Sequence, residues 1–326
     1  MFSAIYYERQ AAAYPRAVQL LQRFSAVPQI ECRHYGEVFN RKQQNFRLQK
    51  RYPALLLAVK RNRLVLPAPA EYHIGGERNF YFSHMLNCLY DCRYCFLQGM
   101  YRSAHYVLFV NYEDFFSAIE DNGSGYYFSG YDCDSLALEP VTGFVREFLP
   151  LFGKLPGSHL ELRTKSTQVR VLLKQPPLPN CIVAFSFTPA HVSRRLEHKV
   201  PDLDRRLQAM CSLQRRGWQV GLRFDPLIYH QDYEQSYARL FERIFARLDG
   251  RLLHSVSLGV LRMPQDFFRR MHKLYPQEKL FAAALQSRDS FVAYPQVLEQ
   301  QMIGFCKDRL SRYVPAEKLY SCDLVP

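Results

Sequence analysis

The sequence has no hydrophobic run long enough to cross a lipid bilayer. Its strongest apolar stretch, residues 54–59, is far shorter than the roughly 20 residues that a membrane-spanning helix needs. The first eight residues contain neither the basic start nor the apolar core of a secretion signal. The nine cysteines are odd in number and lack the spacing of a disulfide framework. Together these absences predict a cytoplasmic protein without a membrane partner.

Acidic residues are missing from residues 38 to 70, although that stretch is rich in basic ones. The whole chain has 43 Lys and Arg against 30 Asp and Glu, a net charge of +13, which favours a polyanionic partner or an anionic surface. Within the stretch two interpretations stand: a solvated face beside a strand, or a surface that neutralises nucleic-acid phosphates. Its basic residues are Arg41, Lys42, Arg47, Lys50, Arg51, Lys60, Arg61 and Arg63.

Three of the cysteines fall in one short segment with the spacing C-x3-C-x2-C: Cys88, Cys92 and Cys95. A [4Fe–4S] cube has four irons, so three thiolates leave one iron open to bind a small molecule. The alternative is a zinc knuckle completed by His84 or His105. Structural zinc sites usually combine two spaced pairs of ligands, and no second pair follows here. The spacing therefore favours an iron–sulfur cluster.

Strand and helix patterns alternate after residue 78. The predicted strands are 79–84, 125–129, 159–163, 181–188, 219–224 and 255–260, and the predicted helices are 112–121, 141–152, 166–174, 203–216, 233–248 and one opened by Pro264. Six repeats predict an α/β fold with a parallel sheet that curls without closing, an open partial TIM barrel, (βα)6, with N- and C-terminal extensions. An N-terminal helix over 9–24, interrupted near Pro15, and a strand over 54–60 are also predicted.

The predicted domains are a basic α/β extension over residues 1–75, the partial barrel over 76–262 and a helical and hairpin extension over 263–326. Chemistry in such a barrel sits at the carboxyl ends of the strands. The cysteine segment and four other polar residues follow or end a predicted strand, which places them at one mouth: Cys133, Lys165, Ser186 and Asp225.

At residues 92–98 the sequence CRYCFLQ resembles the spore photoproduct lyase family of the radical S-adenosylmethionine (SAM) superfamily, whose loop reads close to C-x-Y-C-Y-L-Q. Further motifs keep the same order: CDS at 133–135, TK at 164–165, FSF at 185–187 and PLIYH at 226–230. The resemblance runs roughly from residue 6 to residue 262 and is weak beyond.

The resemblance implies a radical SAM lyase that repairs a thymine photoproduct in DNA without light. Such enzymes use SAM and a [4Fe–4S] cluster to make a 5′-deoxyadenosyl radical, which takes a hydrogen from the thymine dimer. The implied partners are DNA with a damaged thymine dinucleotide and an electron donor such as flavodoxin or ferredoxin. Two alternatives remain: a radical SAM enzyme of the same fold acting on another nucleic-acid or small-molecule substrate, and a non-catalytic, metal-containing protein that binds nucleic acid.

The resemblance also implies roles for single residues. Cys133 occupies the hydrogen-donor position, although a lone cysteine is more often an inert core residue. Ser135, Lys165 and Ser186 match residues that contact SAM in the family. The alternative interpretation of Ser135 is a turn residue, that of Lys165 is an exposed lysine at a helix start, and that of Ser186 is a hydroxyl at a strand end. Asp132 could supply the carboxylate for the SAM amine.

The family's two tyrosines beside the third cysteine are represented by Tyr94 and Phe96. If the family's two tyrosines relay hydrogen between the cysteine and SAM, Phe96, which has no phenol, cannot take part in this relay. Two outcomes therefore stay open: SAM is recycled, or it is consumed as a substrate. A lesion must leave the base stack to reach a buried radical. The counterpart of the family's basic and aromatic C-terminal hairpin is residues 288–294, with three candidate DNA contacts: Arg288, Phe291 and Tyr294.

Overall fold

The computed structural model describes residues 2–69 and 72–322, and its largest sheet contains all six predicted strands. Neighbouring strands pair in parallel except at one edge, where Leu66–Pro67 runs antiparallel to Asn79–Tyr81. In sheet order the strands are Leu319–Ser321, Leu253–Val260, Gln219–Leu227, Cys181–Ser186, His159–Thr164, Tyr126–Phe128, Asn79–Tyr81 and Leu66–Pro67. The sheet curls into a half-barrel. The predicted open (βα)6 architecture is confirmed.

Helices cover the sheet where the apolar periodicity placed most of them. The α-helices are Pro15–Arg23, Gly36–Phe39, Phe46–Arg51, Leu97–Met100, Tyr112–Asn122, Glu139–Thr142, Phe144–Phe152, Arg170–Leu173, Ala190–Leu196, Leu203–Arg216, Tyr233–Phe245, Gln265–Leu274 and Gln296–Leu310. Short 3-10 helices are Ala11–Ala13, Gly250–Leu252, Lys279–Ala282 and Ala316–Lys318. The predicted helix over 141–152 is broken because Gly143 adopts a left-handed conformation with φ of 58°. The predicted helix over 166–174 forms only a single turn.

The helix Leu203–Arg216 shows why these elements form. Four apolar side chains recur every three or four residues and are buried against the sheet: Leu203, Leu207, Met210 and Leu213. The carboxylate of Asp202 accepts a hydrogen bond from the Arg205 amide at 2.8 Å and caps the first turn. Gly217 ends the helix in the left-handed conformation, with φ of 94°, as predicted. Burial of each such leucine contributes about 1.5–3 kcal/mol to folding.

A second sheet of five strands lies beside the barrel, and only one of its strands was predicted. Its order is Gln29–Cys32, Ile5–Glu8, Leu55–Ala58, Tyr106–Phe109 and Met85–Leu86. The first four strands are parallel, and the last is antiparallel to its neighbour. The predicted strand over 79–84 ends at Tyr81 because the chain crosses there into this second sheet. One continuous apolar core runs from Ile5 to Val314, and the division into three domains stays a prediction.

Two small antiparallel sheets, one of two strands and one of three, complete the fold. Asp91–Cys92 pairs with Glu197–His198, whereas Phe291–Ala293 lies between Arg262–Pro264 and Gln286–Arg288. Gln286–Arg288 and Phe291–Ala293 are the two strands of a hairpin that overlaps residues 288–294. Among residues 2–69 and 72–322, none of the helices combines the length and apolarity that crossing a membrane would require.

The helix Leu97–Met100, directly after the cysteine segment, packs against the helix Gln265–Leu274 through Gly99. A Cβ atom added at Gly99 would lie 2.4 Å from the carbonyl oxygen of Phe267, too close for any side chain. We therefore expect Gly99→Ala to lower the free energy of unfolding by about 1–3 kcal/mol. Chemical denaturation under anaerobic conditions measures this change. Gly304→Ala is the control, because within the described residues no atom beyond its neighbours and its own helix backbone lies within 4 Å of a Cβ there; equal losses in both variants would contradict the prediction.

Candidate active site

The backbone of the cysteine segment is fixed by neighbours on both sides. Cys92 pairs with Glu197 in the short two-stranded sheet, and the Arg93 amide donates to the Leu196 carbonyl oxygen at 2.8 Å. The Cys95 amide donates to the Cys92 carbonyl oxygen at 3.1 Å, which closes a turn. The segment therefore presents its thiols from a defined loop.

The three thiols of this loop fit the ligand set of a [4Fe–4S] cluster. All three are free of disulfides and close enough for their charges to interact. Burial raises the pKa of each thiol, for Cys88 to about 12, so thiolates form there only with compensating positive charge. Iron would supply that charge, and Lys50 and Lys165 add to it by lowering the pKa values of these cysteines.

Within the described residues, neither imidazole of the zinc-knuckle alternative forms a metal-ligand group with the cysteines. His84 stacks on Phe144 with ring centroids 3.8 Å apart, and burial lowers its pKa to about 3. His105 Nδ1 accepts a hydrogen bond from the Ala54 amide at 2.9 Å. Across residues 2–69 and 72–322, no three His, Cys, Asp or Glu side chains are grouped around a single ion position. The structure gives the zinc knuckle no support.

Cys133 lies in the loop that follows the strand Tyr126–Phe128, at the barrel mouth. Its thiol is 5% exposed, and Sγ lies 3.8 Å from the Ser129 carbonyl oxygen. Burial, with smaller contributions from Cys88 and the adjacent Asp132, raises the pKa of this thiol well above its ordinary value. A hydrogen-atom donor must keep its S–H bond, and this environment keeps it.

Asp134 ties the Cys133 loop to the neighbouring strand end. One carboxylate oxygen accepts from the Lys165 amide at 2.7 Å, and the other accepts from the Thr164 hydroxyl at 2.7 Å and from the Leu136 amide at 3.0 Å. Asp134 was not predicted as a site residue. Its position inside the CDS motif at 133–135 was the available signal.

Lys165 reaches the cysteine segment from the end of the strand His159–Thr164. Its Nζ lies 5.5 Å from the centroid of the Tyr94 ring. Burial lowers the pKa of Lys165, whereas the negative charges of Cys92 and Glu197 raise it. The combined upward effect is the larger one, so the pKa is raised overall and the amine stays charged. A charged amine inside a cleft suits a carboxylate ligand.

Tyr94 is buried, and its hydroxyl donates to the Glu197 carboxylate. Glu197 also accepts from the Ser193 hydroxyl at 2.6 Å and from the Arg206 guanidinium at 2.9 Å. The side chains of Glu197 and Arg206 are both fully buried. The sequence analysis missed this ion pair.

Ser135 and Ser186 complete the set at the mouth. The Ser135 hydroxyl lies 2.8 Å from the Ser129 hydroxyl, and the Ser186 carbonyl oxygen accepts from Arg206 at 2.8 Å. Cys133, Ser135, Lys165 and Ser186 thus occupy the carboxyl ends of three adjacent parallel strands, Tyr126–Phe128, His159–Thr164 and Cys181–Ser186.

The surroundings of Phe96 and Asp132 bear on the two roles considered for them, the hydrogen relay and the carboxylate for the SAM amine. The Phe96 ring lies 5.5 Å from the Tyr131 ring, which stacks on Tyr81 at 4.4 Å. One Asp132 oxygen accepts from the Tyr101 hydroxyl at 2.9 Å and the other accepts from the Ser83 hydroxyl. Both oxygens of the carboxylate proposed for the SAM amine therefore already have protein donors.

The three candidate DNA contacts occupy different environments within and after the hairpin. Arg288 forms an ion pair with Glu299 at 2.7 Å, and Phe291 is partly exposed. Tyr294 is fully buried, and its hydroxyl accepts from the Tyr229 amide at 3.0 Å. Because Tyr294 is buried, it cannot contact DNA directly, and this prediction is wrong. The Tyr294 side chain instead holds the loop at Tyr229 through this hydrogen bond.

A second buried ion network lies inside the barrel, below the mouth. Glu161 accepts from Arg223 at 2.7 Å and from Arg163 at 2.8 Å, and Arg223 also donates to the Ser255 hydroxyl at 2.9 Å. The side chains of Glu161 and Arg223 are fully buried. In the sequence HLELRT of the strand His159–Thr164, charged residues alternate with leucines, and this alternation was the available signal for them.

Comparison with known proteins agrees with this site. A family model for spore photoproduct lyase matches residues 1–297. The chain belongs to the spore photoproduct lyase family. The match extends past residue 262, where the motif-level resemblance becomes weak, and includes the hairpin. The spore photoproduct lyase of Bacillus subtilis is 24% identical over 296 residues, which cover 85% of this chain and 83% of that protein. The one from a Geobacillus species is 24% identical over 292 residues, with the same coverage.

Solved structures of spore photoproduct lyase share the whole fold. A variant with bound AdoMet and dinucleoside spore photoproduct superimposes with a TM-score of 0.85 at 18% identity, covering 100% of this chain and 99% of that one. A complex with dinucleoside spore photoproduct gives a TM-score of 0.84 at 17% identity. Spore photoproduct lyases are radical SAM lyases with a [4Fe–4S] cluster, so the predicted family, enzyme class and cofactors are confirmed.

Proposed function

We propose that this spore photoproduct lyase family member reverses a spore photoproduct-like thymine lesion in DNA without light. One observation carries the proposal: Cys133, Ser135, Lys165 and Ser186 lie at adjacent strand ends beside the cysteine loop. Solved relatives with the same fold hold AdoMet and a dinucleoside spore photoproduct. We further propose a cytoplasmic location and an electron donor such as flavodoxin or ferredoxin.

The residues divide the work by their chemistry. Cys88, Cys92 and Cys95 would hold the cluster, which with SAM supplies a carbon radical that takes hydrogen from the lesion. Lys165 would bind the SAM carboxylate as a charged partner, and Ser135 and Ser186 would contact SAM through hydrogen bonds. The Cys133 S–H bond breaks as it gives a hydrogen atom to the carbon radical of the product, and a thiyl radical remains on sulfur.

The test is anaerobic incubation of the reconstituted protein with SAM, reductant and ultraviolet-irradiated thymine DNA. Chromatography then follows 5′-deoxyadenosine and thymine. Repair with deoxyadenosine formation supports the lyase. Deoxyadenosine without repair would leave the second candidate, a radical SAM enzyme of the same fold with another substrate, which Phe96 in place of the family's second tyrosine favours. A protein with a verified cluster that does not cleave SAM would contradict both.

Phe96 bears on whether SAM is recycled. Its ring packs near Tyr131 and carries no hydroxyl, while the Tyr94 hydroxyl is bonded to Glu197. We expect about one SAM to be consumed per lesion repaired, because the thiyl radical on Cys133 has no complete phenol path back to deoxyadenosine. Phe96→Tyr should lower this ratio. The measurement is the molar ratio of 5′-deoxyadenosine to repaired thymine; Phe116→Tyr, which adds the same hydroxyl within the helix Tyr112–Asn122, is the control. A wild-type ratio well below one would contradict the prediction.

A further inference from the structure

We propose that the basic segment 41–63 is a second DNA-binding surface, which holds phosphates of the strand that flanks the lesion beside the barrel mouth. This proposal rests on the proposed function, because it names the part of the chain that would contact the DNA around the active site. It is separate from the C-terminal hairpin in sequence.

The segment holds a concentration of unpaired positive charge. It contains no Asp or Glu, and the exposed members of its basic set are Arg41, Lys42, Arg47, Arg51, Arg61 and Arg63. Within the described part of the chain none of these six forms an ion pair, although thirteen other arginines do. Cations that repel one another without local acids are suited to a polyanion.

One end of the segment lies beside the Cys133 loop. Leu66, three residues after Arg63, pairs with Tyr81 in the antiparallel edge of the sheet, and the Tyr81 ring stacks on Tyr131 at 4.4 Å. Tyr131 precedes Cys133 by two residues. Lys60, at the same end, interacts electrostatically with Asp132. This end of the segment therefore borders the site of hydrogen donation.

The other end lies against the cysteine loop. Lys50 Nζ donates to the Cys88 carbonyl oxygen at 2.7 Å, and the Arg47 guanidinium lies 6.0 Å from the Tyr275 ring. The Tyr275 hydroxyl donates to Gln98, three residues after the last cluster cysteine. The segment thus borders the mouth from the cysteine loop to the Cys133 loop.

The exposed cations sit on an ordered frame. The strand Leu55–Ala58 is fully buried between the two basic groups, and Asn45 caps the helix Phe46–Arg51 by accepting from the Leu48 amide at 3.0 Å. Arg63 has φ of 53°, a conformation that non-glycine residues adopt mainly where surrounding structure imposes it. Tyr52, 64% exposed, adds an aromatic face of the kind that stacks on bases.

The test compares Arg47→Gln/Arg63→Gln with Arg215→Gln/Arg216→Gln, which removes the same charge. Arg215 and Arg216 end a helix that leads to the amino end of the strand Gln219–Leu227, opposite the mouth. Binding to a thymine-rich duplex is measured from 50 to 300 mM salt. Each phosphate contact contributes about 0.9 to the slope of log K against log salt, so the first variant should lose roughly 1.8 and the control none.

Turnover separates this surface from the proposed function. For Arg47→Gln/Arg63→Gln the ratio of KM for lesion-bearing duplex to KM for dinucleoside lesion should rise about tenfold, because only the duplex has flanking phosphates. The proposed surface would be contradicted if the slope of log K against log salt fell equally in both double variants, or if it did not fall in Arg47→Gln/Arg63→Gln. Preferential, salt-sensitive binding to phosphatidylserine vesicles over duplex would overturn it too. Absence of dinucleoside repair in the wild type would contradict the proposed function, while the duplex-binding slopes still decide the surface.

Discussion

Replacing Cys133 with alanine is expected to leave SAM cleavage running while the yield of repaired thymine falls by roughly a hundredfold or more. A donor held beside the product radical acts at a high effective concentration, which a solution thiol cannot reproduce. Cys133 combines the needed features: it follows a strand at the mouth, it is 5% exposed, and burial keeps it protonated. Without it, the carbon radical of the product must take hydrogen from elsewhere or form other products.

Two chromatographic measurements on the same reaction check this expectation: 5′-deoxyadenosine reports SAM cleavage, and thymine reports completed repair. Cys181→Ala is the matched control, because Cys181 is also a buried free thiol but begins its strand, at the end of the barrel away from the mouth. Normal thymine yield in Cys133→Ala would show that another group donates the hydrogen. Loss of SAM cleavage as well would assign Cys133 to binding instead.

The parts of the fold that could be predicted from the sequence are those encoded locally. The barrel strand Cys181–Ser186 is an unbroken apolar run, and the helix Leu203–Arg216 combines an apolar stripe with a capping aspartate and a closing glycine. The cluster ligands were equally local, since three thiols lie within eight residues. In each case a short window contains the whole signal.

The second sheet was largely missed because its strands are short and its pairing is remote. The strand Gln29–Cys32 is mostly exposed, so it has no apolar alternation to detect. The strand Met85–Leu86 has only two residues and follows a barrel strand closely enough to read as its continuation. The side chain that holds Tyr94 is 103 residues away, at Glu197, and no local pattern indicates such a contact.

Removing that remote partner gives the second large expected effect. Glu197→Ala should lower the free energy of unfolding by about 3–5 kcal/mol, because Arg206 would remain as a fully buried charge without its carboxylate. Tyr94 and Ser193 would lose their acceptor as well. Anaerobic chemical denaturation measures the change. Asp204→Ala, which breaks an exposed ion pair with Arg243, is the control and should cost no more than about 1 kcal/mol.

The double variant Glu197→Leu/Arg206→Met separates charge burial from positioning. Because it removes both charges, it should recover most of the stability lost in Glu197→Ala. Full recovery of stability and of iron content would mean that the carboxylate serves mainly to neutralise Arg206. Stability recovered with SAM cleavage still impaired would identify Glu197 as the group that positions Tyr94 beside Lys165. If Glu197→Ala were as stable as the wild type, the buried ion pair itself would be contradicted. The Arg206 guanidinium has no carboxylate other than Glu197 among its hydrogen-bond partners.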